Sequence, residues 1–323
     1  MLRRSLISYV ARALHLPNLN DNAAVDESIT NAFLSLDNEI LSSGLAALKD
    51  DAPPATVISR MAPATAGSCA LLAIFDPSTS NLRVACVGDS RAVLGRSNPE
   101  NPGEWIAKPL SEDQTGFNKK ELARILAQHP GESPVDLKSG RVLGIAVSRA
   151  FGDNRWKWPL EALQEQGKRF FGGQPRPTYF SPPYLTAEPV ITTTKVQSGD
   201  FVVLASDGLW DRISSEDAVK CVSKWVEEVR KGTKLTGQSP VESNPVIQYP
   251  TEKKANDWKF HLEDMVVEEE NAATNLVKNA FGGKRRDLFC SVVSSQTPHS
   301  RSVRDDITVQ IIFFGDISEK AQK

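Results

Sequence analysis

Apolar positions along the chain keep a helical period in some stretches and a two-residue period in others, and the switches mark its elements. Leu2, Leu6, Val10 and Leu14 recur every four residues, which predicts an amphipathic helix over 1–16. Ile29, Phe33, Leu36 and Ile40 predict a second helix from about Asp26, with Gly44 placed as its C-terminal cap. Asp50 to Pro63 holds three prolines and reads as a surface loop. Apolar β-type runs follow at Cys69–Phe75 and Leu82–Val87, joined by the turn-forming stretch 76–81. Arg91–Arg96 and Trp105–Leu110 read as the next hairpin, and such closely spaced strands favour antiparallel pairing. Asn118–Gln128 reads as a helix stopped by His129-Pro130-Gly131. Residues 141–153 mix a short strand with a glycine-bearing loop, and 154–190 read as an irregular excursion rich in Pro, Gly and aromatics.

The run Phe201–Ala205 is five apolar residues long, bounded by Gly199-Asp200 and Asp207-Gly208, as a buried strand reads. Ser214 heads a helix, with Asp217 as its capping-box partner and Val219, Val222, Val226 and Val229 on its apolar face. Residues 231–262 are polar and weakly patterned, which predicts a mobile insertion. A further helix is expected over Asp264–Phe281, a basic Ser-rich loop over Lys284–Arg304, and a strand over Asp305–Phe314, where Ile307, Val309, Ile311 and Phe313 alternate. No internal repeat is present. The expectation is one domain over 1–315 and a short tail, 316–323.

Composition narrows the class. The chain has 323 residues, 40% hydrophobic and 24% charged, and a net charge of −2, so nothing points to nucleic acid as partner. The four cysteines are widely spaced and form no C-x-x-C pair, which argues against a disulfide framework or a zinc site. No apolar run approaches the ~20 residues that span a bilayer. Phosphate-cradling loops of the G-x-x-x-x-G-K-[ST] or G-x-G-x-x-G kind are missing.

Acids gather at strand ends. Asp89 follows the run at 84–87, Asp207 follows 201–205 with Asp211 four residues on, and Asp305-Asp306 open the last strand. Adjacent carboxylates are costly to ionise together unless a cation lies between them, although Asp207-Gly208 taken alone reads equally well as a plain turn. An Asp-rich, His-poor set suits magnesium or manganese rather than zinc. With four histidines, none beside a carboxylate or cysteine motif, a Ser-His-Asp hydrolase has little support.

Four segments, GDSRAVL (88–94), RAFGD (149–153), SDGLWD (206–211) and RDDIT (304–308), occur in the order and spacing of the metal-dependent type-2C (PPM) serine/threonine protein phosphatases, and the chain resembles that family from about Cys69 to Phe314 and over the helix at 26–43. The resemblance implies an α+β fold, an αββα four-layer sandwich of two antiparallel sheets packed face to face with helices outside. It implies that Asp207 and Asp305 bind a pair of Mg2+ or Mn2+ ions, and that Asp89 and Asp211, with Asp207, serve a third, weaker position. A metal-activated water would then attack phosphoserine with no protein nucleophile. EDQTGFNKKELARILAQHP (112–130), FGDNRWKWP (151–159), PPYLTAEPV (182–190) and SRSVRDDIT (300–308) are similar to the pyruvate dehydrogenase phosphatase branch. That branch implies a phosphoprotein substrate, a phosphoserine of the pyruvate dehydrogenase E1 subunit, and the mitochondrial matrix, with the cytoplasm as the alternative.

One family feature is missing. The 323 residues contain no Asp-Gly-His triplet, the family loop whose aspartate bridges both metals and whose histidine is the general acid. The phosphate-gripping arginine of the family is missing with it, so no catalytic residue is assigned. The sequence therefore predicts a domain truncated at its N-terminus and impaired in hydrolysis, and the helix at 1–16 as a domain helix more than a presequence. A non-catalytic pseudophosphatase that binds a phosphoprotein is the main alternative; another hydrolase using the same aspartates is the third reading.

Overall fold

The computed structural model describes residues 2–15, 21–101, 103–170, 172–173, 175–237 and 258–316. The class is α+β, and the described residues divide into two compact units. One unit comprises 1–73, 84–89 and 112–192; the other comprises 74–83, 90–111 and 193–323. Three strands, β1 (Ala70–Asp76), β2 (Asn81–Val87) and a later one at Val190–Lys195, form one sheet in that order, and the chain passes from unit to unit within them.

The first unit is built on helices α1 (Leu2–Ala13), α2 (Asn22–Leu48) and α3 (Pro54–Thr65), followed by α4 (Lys119–Gln128) and α5 (Leu160–Phe170). Asp21 caps α2 by accepting from the amides of Ala23 and Ala24, and Val25, Ile29, Phe33, Leu36 and Ile40 bury its apolar stripe. Gly44 does not end this helix, which runs on to Leu48. A Cβ at Gly44 would lie 2.6 Å from that of Ala64 in α3 and 2.9 Å from the Trp158 ring, so the glycine serves close helix packing. The expected loop over 50–63 is mostly α3. Its prolines are compatible with a helix because Pro54 opens it, where no intrahelical amide bond is lost, and Pro63 falls in its last turn. Likewise α5 lies inside the stretch expected to be irregular.

The second unit holds a four-stranded sheet. Its strands are β3 (Arg91–Ser97), β4 (Trp105–Pro109), β6 (Phe201–Ala205) and β7 (Val309–Phe313), with the strand at 190–195 counted as β5. The order is β7-β6-β3-β4 and each pairing is antiparallel. Every residue of β6 is buried, as its uninterrupted apolar run requires of a central strand. Phe201 packs against Trp105 at 5.1 Å between ring centroids, and against Phe313 at 6.0 Å. Helix α6 (Ser215–Arg230) lays Val219 and Val222 into the same core as Val93, Val203 and Leu209. Its cap is as predicted: the Ser214 hydroxyl accepts from the Asp217 amide at 3.0 Å and donates to the Asp217 carboxylate at 2.8 Å.

Helix α7 (Ala272–Ala280) is shorter than the expected 264–281, and the segment before it carries a single 3-10 turn at Leu262–Asp264. The expected loop over 284–304 contains α8 (Arg286–Ser294) and a short helix at Ser300–Val303. In the expected mobile insertion, 238–257 lie outside the described residues, as does nearly all of the tail.

Candidate functional site

Antiparallel pairing of β6 with β7 aligns Ala205 with Val309, so the chain leaving β6 meets the chain entering β7. Ser206 ties the two: its amide donates to the Thr308 carbonyl at 3.1 Å, its hydroxyl donates to the Asp306 carbonyl at 3.1 Å, and the Thr308 amide donates to that hydroxyl at 3.0 Å. Next comes the short helix Asp207–Trp210, with Asp207 in its first turn. At Gly208 an added Cβ would lie 2.5 Å from the Asp306 carbonyl oxygen, so only glycine allows the two segments this approach. The segments bearing Asp207 and Asp305-Asp306 thus lie at one end of the sheet.

Each carboxylate has its own surroundings. Asp207 accepts from the Gly208 amide at 2.9 Å and is half-buried. Asp305 is half-buried, pairs with the exposed guanidinium of Arg301 and accepts from the Asp306 amide at 2.7 Å. Asp211 is exposed; its amide donates to the Asp207 carbonyl, and its own carbonyl accepts from Lys259 Nζ at 2.6 Å. Asp89 belongs to the first unit, on a turn braced by Gln114, whose side-chain oxygen accepts from the Gly88 amide at 2.7 Å and whose amide nitrogen donates to the Cys86 carbonyl. There the Cys69 thiol lies 3.4 Å from Asp89 Oδ1.

These donors suit a hard divalent cation by chemistry, being carboxylate oxygens at a sheet end. They fall short of a metal centre by number, since among the described residues no three His, Cys, Asp or Glu side chains stand together as one could require.

Asp153 is a residue that the sequence pattern did not single out. It sits in RAFGD with a left-handed backbone, φ 52°. Burial pushes its carboxyl up to about 6, against the pull of Lys157 and with the push of Asp37. A half-buried acid in strained backbone is a feature of working sites as well as of structural ones. In the sequence its one mark is its place at the end of RAFGD (149–153).

Comparison with known proteins gives a consistent picture. The profile of the protein phosphatase 2C family matches residues 9–242. The mitochondrial pyruvate dehydrogenase phosphatase 1 of Saccharomyces cerevisiae is 37% identical over 98% of this chain and 59% of its own length. A protein phosphatase 2C homolog of Schizosaccharomyces pombe is 37% identical over 98% of this chain and 70% of its own. Human mitochondrial pyruvate dehydrogenase phosphatase 2 is 32% identical over 91% and 56%. Against two of these three relatives the chain spans less than three fifths of their length. A serine-threonine phosphatase 2C from Toxoplasma gondii superposes with a TM-score of 0.50 at 17% identity, covering 96% of this chain and 77% of that one. That last likeness is one of fold, and it agrees with the expected αββα class.

Proposed function

We propose, for a chain that belongs to the protein phosphatase 2C family, that its protein is a serine/threonine phosphatase acting on phosphoserine of a phosphoprotein. The observation that carries this reading is the meeting of the Asp207 and Asp305-Asp306 segments across the β6–β7 pair, held by Ser206 and permitted by Gly208. The relatives named pyruvate dehydrogenase phosphatases suggest the E1 subunit as the substrate and the mitochondrion as the compartment.

In this reading Asp207 and Asp305 supply oxygen donors to Mg2+ or Mn2+, with Asp211 and Asp207 serving a weaker position. Such an ion would supply a hydroxide nucleophile and offset charge on the phosphoryl oxygens. The chain's own part is positional. Ser206 fixes how far the β6 exit lies from the β7 entry, and the Asp306 amide orients Asp305. The Asp-Gly-His triplet of the family is not among the 323 residues, so their turnover alone is expected to be feeble, while phosphopeptide binding is retained.

The test is calorimetric titration of Mn2+ into the chain and into D207N and D305N, beside a manganese-dependent assay on a phosphoserine peptide. Weakening of about tenfold or more in both variants supports the ligand assignment. Equal Mn2+ affinity in all three proteins would overturn it. Robust turnover by the chain alone would overturn the impaired reading, and failure to bind phosphopeptide at all would count against a phosphatase or pseudophosphatase role.

A further inference from the structure

Directly beyond Asp211 the second unit opens a cavity of 580 Å³ whose lining includes Arg91, Trp210, Arg212, Ser215 and Lys259. Three cationic residues, Arg91, Arg212 and Lys259, are among its lining. The Arg91 guanidinium stacks on the Trp210 ring, 5.3 Å from its centroid, and its Nη1 donates to the Ser215 hydroxyl at 3.3 Å. Trp210 is itself fixed, with its indole N–H donating to the Ala205 carbonyl at 3.0 Å. Arg212 is held by the carbonyls of Trp258 and Val303, at 3.1 and 2.9 Å, and lies over the Trp258 ring. Lys259 reaches the Asp211 carbonyl from the exposed side.

Acids oppose this charge only in part. Glu216 and Asp217 also line the cavity, and Asp217 is engaged with the Ser214 hydroxyl at the helix cap. Among the lining residues alone the balance is one positive charge in excess, with exposed Asp211 next to them in the chain. Guanidinium groups pinned by stacking and by backbone carbonyls are preorganised and lose little freedom when an oxyanion arrives. None of these groups belongs to the carboxylate set assigned above to the metal.

We infer that this cavity is an oxyanion subsite which takes a second acidic group of the substrate peptide, a glutamate or a further phosphoserine, flanking the phosphoserine presented at the Asp207 end of the sheet. The inference rests on the phosphatase reading for the identity of the peptide. The charge of the cavity stands apart from it.

Two measurements on the 323-residue chain test the subsite, and they fail separately. In the first, fluorescence polarisation compares a phosphoserine peptide with neutral flanks, one with glutamate flanks and one with a second phosphoserine. Acidic peptides are expected to bind about fivefold more tightly, the weight of one partly screened charge pair, with the difference shrinking as salt rises and vanishing in K259E. The glutamate and phosphoserine arms show which source is preferred. A lack of preference in the parent chain, or a preference retained in K259E, overturns the subsite.

The second measurement titrates inorganic pyrophosphate and follows the Trp210 indole N–H by NMR, assigned through W210F. A saturable shift that weakens in K259Q, with other indole signals unmoved, is expected. Absence of that shift overturns the cavity as an anion site whether or not any phosphopeptide binds. A shift with no phosphopeptide binding keeps the anion site and overturns the peptide as its occupant and, with it, the phosphatase reading.

Discussion

The interior of the first unit and the end of the β6–β7 pair treat charge in opposite ways. In the unit carrying α1–α5, ionic groups are inside. Lys157 Nζ is 2.7 Å from Asp37 and 2.6 Å from the Ala150 carbonyl, while Asp37 also accepts from the Gly152 amide. Glu121 accepts from Arg149 at both oxygens, from Arg124 and from the Ser148 hydroxyl. In the unit carrying the four-stranded sheet, Phe201 and Val203 belong to an apolar cluster and buried Asp200 and Lys278 keep their own ion partners, Arg96 and the Glu268–Glu269 pair, but Asp207 and Asp305 stand at the sheet end. A fully bonded interior charge fixes loops and does little else. Acids at a sheet end whose partner is an exposed arginine stay available to a ligand.

The largest expected effects attack this contrast directly. K157M strands Asp37 without its cation and should cost about 3–5 kcal/mol in urea unfolding. F201A empties the apolar core and should cost a similar about 3–5 kcal/mol through a cavity. The contrast lies in repair: K157M with D37L should regain much of its loss, though not the bond that Asp37 accepts from Gly152. Were K157M as stable as the parent, the ionic interior would be no support to the first unit.

Acid should separate the units next. Burial pushes the Glu121 carboxyl up, but the bonds from Arg149, Arg124 and Ser148 outweigh it and bring it to about 2. Its contribution is therefore present above the ordinary carboxylate range and lost as pH falls toward 2, so acid unfolding should begin in the first unit and be blunted in E121Q, which is weaker at neutral pH. Asp153 has the opposite sign. Its folded carboxyl titrates at about 6, above the unfolded value, so its cost is absent in acid, builds as pH rises from the unfolded value to about 6, and stays constant above that. D153N should stabilise at neutral pH and flatten the profile between pH 4 and 6; an unchanged profile would deny Asp153 its burial cost.

The smallest stability effect belongs to the sheet end. R301A removes an exposed partner of Asp305 and should change stability by no more than about 0.5 kcal/mol. By freeing a carboxylate it should raise Mn2+ affinity a few-fold in calorimetry. A large loss of stability would make that pair structural and erase the contrast.

Much of the second unit was legible because its signals are local. The β6 run, the alternation of β7 and the Ser214–Asp217 cap each lie within a few residues. The first unit was less so. Lys157 meets Asp37 across 120 positions, and no periodicity announces such a pair. Three prolines concealed α3, and Gly44 read as a stop where it is a contact. At the candidate site the motifs gave the acids but not their settings, because whether a carboxylate meets an arginine, an amide or water is decided by chain segments far away in sequence.

Gly208 carries a consequence for variation in this chain. The distance between two acid-bearing segments is set there by a missing methyl group, and alanine, the mildest replacement available, would wedge the β6 exit from the β7 entry without touching any charge. A lesion at that position would leave every acidic side chain intact and still change how closely the two acid-bearing segments approach.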